Sequence, residues 1–132
     1  MEKLFIYFKS GFLLCLSYLG YFLGGFDTMM VTLLMFMAID YVTGVLNAIK
    51  KKKLSSRIGR DGILKKVFII LLVGSVNLLG LAVGIDELRY LVISFYLANE
   101  GISILENGCE LGVPIPQKVK DVLEQLKGED HE

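Results

Sequence analysis

The chain has 132 residues, enough for one domain, with 54% apolar residues, a mean hydropathy of +0.59 and a net charge of zero. That zero is a sum of separated blocks: eight of the fourteen Lys and Arg fall within residues 50–66, opposed there only by Asp61, while acidic residues close the chain. Such segregation argues against a general polyanion binder and for a charge-ordered membrane protein.

The expected fold is an all-α integral membrane protein with three to four transmembrane helices and a short amphipathic helix at the C-terminus, forming one membrane domain over residues 1–132. The first helix is expected over about residues 4–23, interrupted only by Lys9, which lies near one end and can snorkel. Lys3 followed by an apolar run resembles a signal peptide. The run from Ser10 to Phe26 is longer than a usual signal core and no small-residue cleavage site follows, so it reads as a retained membrane helix. Gly24 and Gly25 stop it, and Asp27 or Thr28 caps a second helix over about 28–49, with Asp40 near its middle.

Residues 50–66 form a basic connector: Lys50, Lys51, Lys52, Lys53, Arg57, Arg60, Lys65 and Lys66, with Asp61 as the expected N-cap of the next helix. Residues 67–85 are nineteen in a row without a charge, enough to cross about 30 Å of hydrocarbon. Asp86, Glu87 and Arg89 make a short turn, and a fourth helix covers about 88–111. Gly112, Pro114 and Pro116 end it, and a tail helix is expected over 116–127, with Val119, Val122, Leu123 and Leu126 on one stripe and Gly128 as terminator. This tail helix is expected on the cytoplasmic side, against a neighbouring subunit or on the membrane surface. Lys and Arg concentrate on the cytoplasmic side of membranes, so the 50–66 loop is placed inside. Four spans then leave both termini inside, and three move one terminus across.

The polar residues inside these helices call for explanation. At 100° per residue, Asn99, Glu100, Ser103, Glu106, Asn107 and Glu110 fall within an arc roughly 120° wide on an otherwise apolar helix. Asp40 lies deep enough to cost about 2.5–3.5 kcal/mol if ionised, and Gly44 and Asn47 continue its face. A single chain of short helices has little room for six polar side chains. These residues are therefore read as an assembly or pore face in a homo-oligomer; the alternatives are a hydrogen-bonded structural Asp40 and an in-plane fourth helix. Gly20–Gly24, Gly80–Gly84 and Gly108–Gly112 match the Gly-x-x-x-Gly spacing that permits close helix contact, with Gly80 and Gly84 the best placed.

The 50–66 loop sets topology and can meet anionic lipid headgroups. It has no interleaved aromatic residues, which disfavours nucleic acid as a partner. Cys15 and Cys109 sit in apolar patterns without metal or redox neighbours and read as buried structural thiols. The one histidine, His131, is penultimate, and no catalytic, cofactor-binding or metal-spaced set is apparent, so an enzyme is not expected.

Several segments resemble the bacteriophage holin family, which includes the toxin-secretion holins of clostridia. They are Asp40-Tyr41-Val42-Thr43-Gly44 ahead of a Lys-rich stretch, Ser55-Ser56 within it and Lys65-Lys66 opening the next helix. The run Asn99–Asn107, followed by Leu111-Gly112-Val113-Pro114-Ile115-Pro116, completes the match, which covers more than half of the chain. The resemblance implies a small protein of the bacterial cytoplasmic membrane, without cofactor. Such proteins accumulate harmlessly and then assemble into lesions that release a muralytic enzyme or toxin, to which the link is functional rather than direct. A small ion channel or transporter using Asp40 and Glu100, and a non-conducting membrane adaptor, are the competing readings.

Overall fold

A computed structural model describes residues 1–127 as five helices: α1 (Glu2–Leu23), α2 (Thr28–Lys50), α3 (Ser56–Val83), α4 (Glu87–Leu111) and α5 (Gln117–Lys127). The terminator expected at Gly128, together with His131, lies outside the described residues. Three helices, α1, α2 and α3, are long and apolar enough to cross a membrane. α4 runs to 25 residues but carries the polar stripe.

The stops follow local chemistry. α1 ends at Gly24, whose φ of 77° is open to glycine and costly for other residues, and Gly25 N–H donates to Gly20 O at 2.7 Å. The other two Gly-x-x-x-Gly pairs close in the same way. Ile85 N–H donates to Gly80 O and Val113 N–H to Gly108 O, both at 2.9 Å, with Gly84 and Gly112 at positive φ. Within the chain, Gly80 and Gly84 therefore act as a helix stop and not as a crossing point. Gly44, by contrast, faces α4, where Asn107 Nδ2 would lie 3.8 Å from an added Cβ.

Two starts also differ in their signals. Asp27 caps α2 by accepting from Met30 N–H at 3.0 Å. α3 starts eleven residues earlier than expected, because Ser55 and not Asp61 is its cap, accepting from Ile58 N–H at 3.3 Å. Hydropathy marks where the lipid ends, but Lys, Arg and Leu are good helix formers and carry the helix on into water. Most of the basic connector is thus the first turns of α3, and the true loop is short.

α2 runs parallel to α4, as the Asp27–Arg89 and Asn47–Glu110 pairs at their two ends show, with α3 antiparallel to both. α2 packs chiefly on α4, and α3 also lies on α4; α1 touches α3 only near its C-terminal end. The core is Leu23, Met30, Leu33, Met37, Ile69, Val73 and Ile93, gathered toward the end where the Gly24–Asp27 and Gly84–Asp86 turns meet. Leu4 to Tyr21 of α1 present bulky side chains outward almost all round. Cys15 and Cys109 are both exposed, correcting the buried reading: each points away from the bundle toward the surroundings of its helix. α5 folds back antiparallel along α4 of its own chain, where a neighbouring subunit or the membrane surface was expected.

Candidate functional site: a buried ion layer and a polar cleft

Asp40 on α2, Lys66 on α3 and Glu100 on α4 converge inside the bundle. Lys66 Nζ donates to Asp40 Oδ2 at 2.7 Å and to Glu100 Oε2 at 2.5 Å. The side chains are 19%, 15% and 8% exposed, so the layer is largely out of solvent. Asn107 Nδ2 extends the network to Asp40 Oδ1 at 3.2 Å and Thr43 Oγ1 at 2.9 Å. Further toward the basic end, Asn47 Nδ2 donates to Glu110 Oε2 at 2.5 Å, and Lys51 Nζ reaches the same oxygen at 2.7 Å.

These pairings correct the expectation that one chain lacks room for its polar side chains. Asp40, Glu100, Asn107 and Glu110 all find partners within the monomer. Lys66 and Lys51, read only as topology and headgroup residues, supply two of those partners. Asn99, Ser103 and Glu106 line a cleft of about 820 Å³ between α2, α3 and α4, together with Asp40, Lys66 and Glu100 of the ion layer. Asn47 Oδ1 is buried without a hydrogen-bond partner. Lys50 donates to Glu110 O at 2.9 Å. Arg57 and Arg60 stay on the exposed first turns of α3, and Arg60 has Asp61 at 3.9 Å.

A second polar cluster, at the opposite end, went unnoticed in the sequence. Arg89, 4% exposed, donates to Leu23 O at 2.5 Å, to Gly25 O at 3.0 Å and to Asp27 Oδ2 at 2.7 Å. Asn77 of α3 donates to Phe22 O at 3.1 Å and Tyr21 O at 3.3 Å. Together they satisfy carbonyls that the end of α1 leaves without intrahelical partners. The Arg89 guanidinium holds the Asp27 carboxyl below the usual carboxylate range, aided by the Met30 N–H and opposed by partial burial. The only hint in the sequence was an Asn within the cleanest apolar run and an Arg one turn after a Gly stop.

Among the described residues no group of His, Cys, Asp and Glu is placed to hold a metal ion. The ion layer has a built-in cation, so what it does is tie α2, α3 and α4 together, with one ammonium shared between two carboxylates.

Long apolar helices around an internal charged layer define an all-α membrane protein. The profile of the bacteriophage holin family matches residues 17–128, and the chain belongs to that family. It is 43% identical over 128 residues to an uncharacterized 14.9 kDa protein of Clostridium perfringens, covering 96% of this chain and 97% of that one. A Listeria monocytogenes protein, also described as uncharacterized, is 38% identical over 117 residues, covering 86% of this chain and 84% of its own. A probable holin of Bacillus phage phi105 is 36% identical over 93 residues, 70% of this chain and 69% of that protein. No solved structure matches the chain.

Proposed function

We propose that this chain accumulates in the bacterial cytoplasmic membrane and then assembles into lesions through which a muralytic enzyme or a toxin leaves the cell. The observation that carries the reading is the Asp40–Lys66–Glu100 layer beside the polar cleft. The chain keeps paired charge inside apolar helices, with Asn99, Ser103 and Glu106 facing an open cleft beside it. Family membership supports the same conclusion. The almost fully exposed apolar α1 offers contact area to lipid or to another copy. The concentration of Lys and Arg supports a cytoplasmic side for residues 50–66 and, in the dispersed chain, for the C-terminus. The exposed Lys52, Lys53, Arg57 and Arg60 rest against anionic headgroups.

A cation channel is disfavoured because Lys66 already fills the place between Asp40 and Glu100 that a permeating cation would need. Inducible expression in bacteria carrying a folded cytoplasmic reporter enzyme tests the proposal. Collapse of membrane potential with exit of the reporter is the expected result. Collapse with the reporter retained would move the assignment to a narrow channel, and neither event would leave an adaptor. Glu106, exposed in the single chain, gives a cleaner test of the assembly face than Glu100: Glu106→Leu is expected to reduce reporter release at matched protein level.

A further inference from the structure

The position of α5 conflicts with a lipid surround. α2 serves as the ruler: its 23 residues rise about 35 Å, against about 30 Å of hydrocarbon. Leu123 of α5 sits in a notch over Gly101, its Cδ atoms 3.1 and 3.2 Å from where a Cβ would stand, with Phe36 of α2 at 3.4 Å from the same point. Phe36 is eight residues into α2, so Leu123 lies about 12 Å from the start of the span. Just ahead of α5, Ile115 meets Gly108, beside the Asn107 that bonds Asp40 and Thr43. That level is about 18–23 Å along the same ruler. All of α5 therefore lies within the thickness of a bilayer that α2 spans.

Yet α5 carries Lys118, Lys120, Asp121 and Glu124, and Lys118 and Asp121 are exposed. Glu106 and Glu110 on α4 are exposed as well. The outward surfaces of α1 and α2 are the opposite: Phe5, Phe8 and Phe12 on α1 and Val42, Leu46 and Ile49 on α2 are exposed and apolar, with Lys9 the charge that interrupts α1. Those surfaces suit lipid. The α4–α5 flank demands water at mid-depth, because ionised groups are expelled from hydrocarbon.

We propose that α5 docks on α4 only where this flank meets water inside an assembly, and that in a dispersed, inserted chain it is released to the basic side of the membrane. Docked α5 then lines the wet interior with its charged face, while Leu123 in the Gly101 notch sets its register. The proposal rests on the lesion-forming reading, but its test does not depend on leakage.

The test uses the full chain with Cys15 replaced by Ser and spin labels at the exposed Cys109 of α4 and at Val122→Cys. Labelled chain is diluted into unlabelled chain and reconstituted in phosphatidylethanolamine–phosphatidylglycerol vesicles at low and at high protein density. A long, broad intrachain distance at low density, giving way to a short, narrow one at high density, is expected. The same distance at both densities, short or long, would overturn the proposal. Gly101→Leu fills the notch and is expected to abolish the short distance at high density while leaving membrane insertion, measured by fractionation, intact. Persistence of the short distance in that variant counts equally against it. A density-dependent distance without reporter release in cells would sink the lesion reading and leave the α5 proposal standing.

Discussion

Lys66 Nζ stands 2.5 Å from Glu100 Oε2, joining α3 to α4 in an ion pair whose side chains are 15% and 8% exposed, with Asp40 completing the layer from α2. Breaking such a pair from one side leaves an uncompensated charge, which costs about 3–5 kcal/mol, whereas removing all partners together is often close to neutral. Lys66→Met is therefore expected to destabilise the bundle by about that amount, read from loss of helicity on denaturant titration in detergent micelles. The combined Asp40→Asn, Lys66→Met, Glu100→Gln variant should recover most of the loss. A combined variant as unstable as Lys66→Met would show that the layer acts through something other than charge pairing.

The Arg89–Asp27 pair makes the turn end sensitive to acid. Arg89 lowers the Asp27 pKa in the folded state, so the folded chain binds a proton there less readily than the unfolded one. This contribution to stability is complete above the ordinary carboxylate value of about 3.9, and it is lost as pH falls through the lowered value. Thermal unfolding in detergent is expected to show no effect of this pair between neutral pH and about pH 5, and a loss below about pH 4 that Asp27→Asn reduces. Unchanged acid sensitivity in Asp27→Asn would assign it to other carboxylates.

Gly24 combines a φ of 77° with a crowded flank, where an added Cβ would run into the Asn77 and Arg89 side chains. A left-handed backbone costs a non-glycine residue about 1–2 kcal/mol, before any displacement of the two neighbours. Gly24→Ala is expected to exceed that cost in the same micelle titration and to loosen the end of α1 from α3 and α4. Gly84→Ala has open space around the added Cβ. It should cost only the backbone share, and equal losses in the two variants would remove the packing part of this account.

Among the described residues, Lys52 is the non-glycine residue with a positive φ, at 53°, where Lys53 N–H donates to Ala48 O and closes α2. Glycine relieves the backbone there and gives back part of the gain through a freer unfolded chain. Lys52→Gly is expected to stabilise by about 0.5–1 kcal/mol, seen as a raised unfolding midpoint. A lowered midpoint would mean that the Lys52 side chain matters more than its backbone.

Particular residues show what could be read in advance. The stops at Gly24 and Gly112 were legible because a helix end is a local matter of a few residues, whereas Gly84 was read as a packing residue within the span. The start of α3 was misplaced at Asp61 because the apolar run begins later than the helix does. Asp40 and Glu100 were recognised as costly, but their partner Lys66 was assigned to the loop, since 26 and 34 residues of sequence separate it from them. Arg89 was read only as a turn residue and Asn77 only as part of the apolar run, because their acceptors are carbonyls at the end of α1, which leave no mark in residue types.

By itself the sequence determined a membrane protein of long helices with fixed turns, polar residues at known heights and a basic end, because hydropathy, caps and glycine stops act over a few neighbouring residues. Only the tertiary structure decided that Lys66 closes Asp40 and Glu100 into a layer, that Arg89 ties α1 to α4, and that α5 folds back over Gly101. Those outcomes depend on how each helix turns about its axis and slides against its neighbours, which is set by packing among all of them at once.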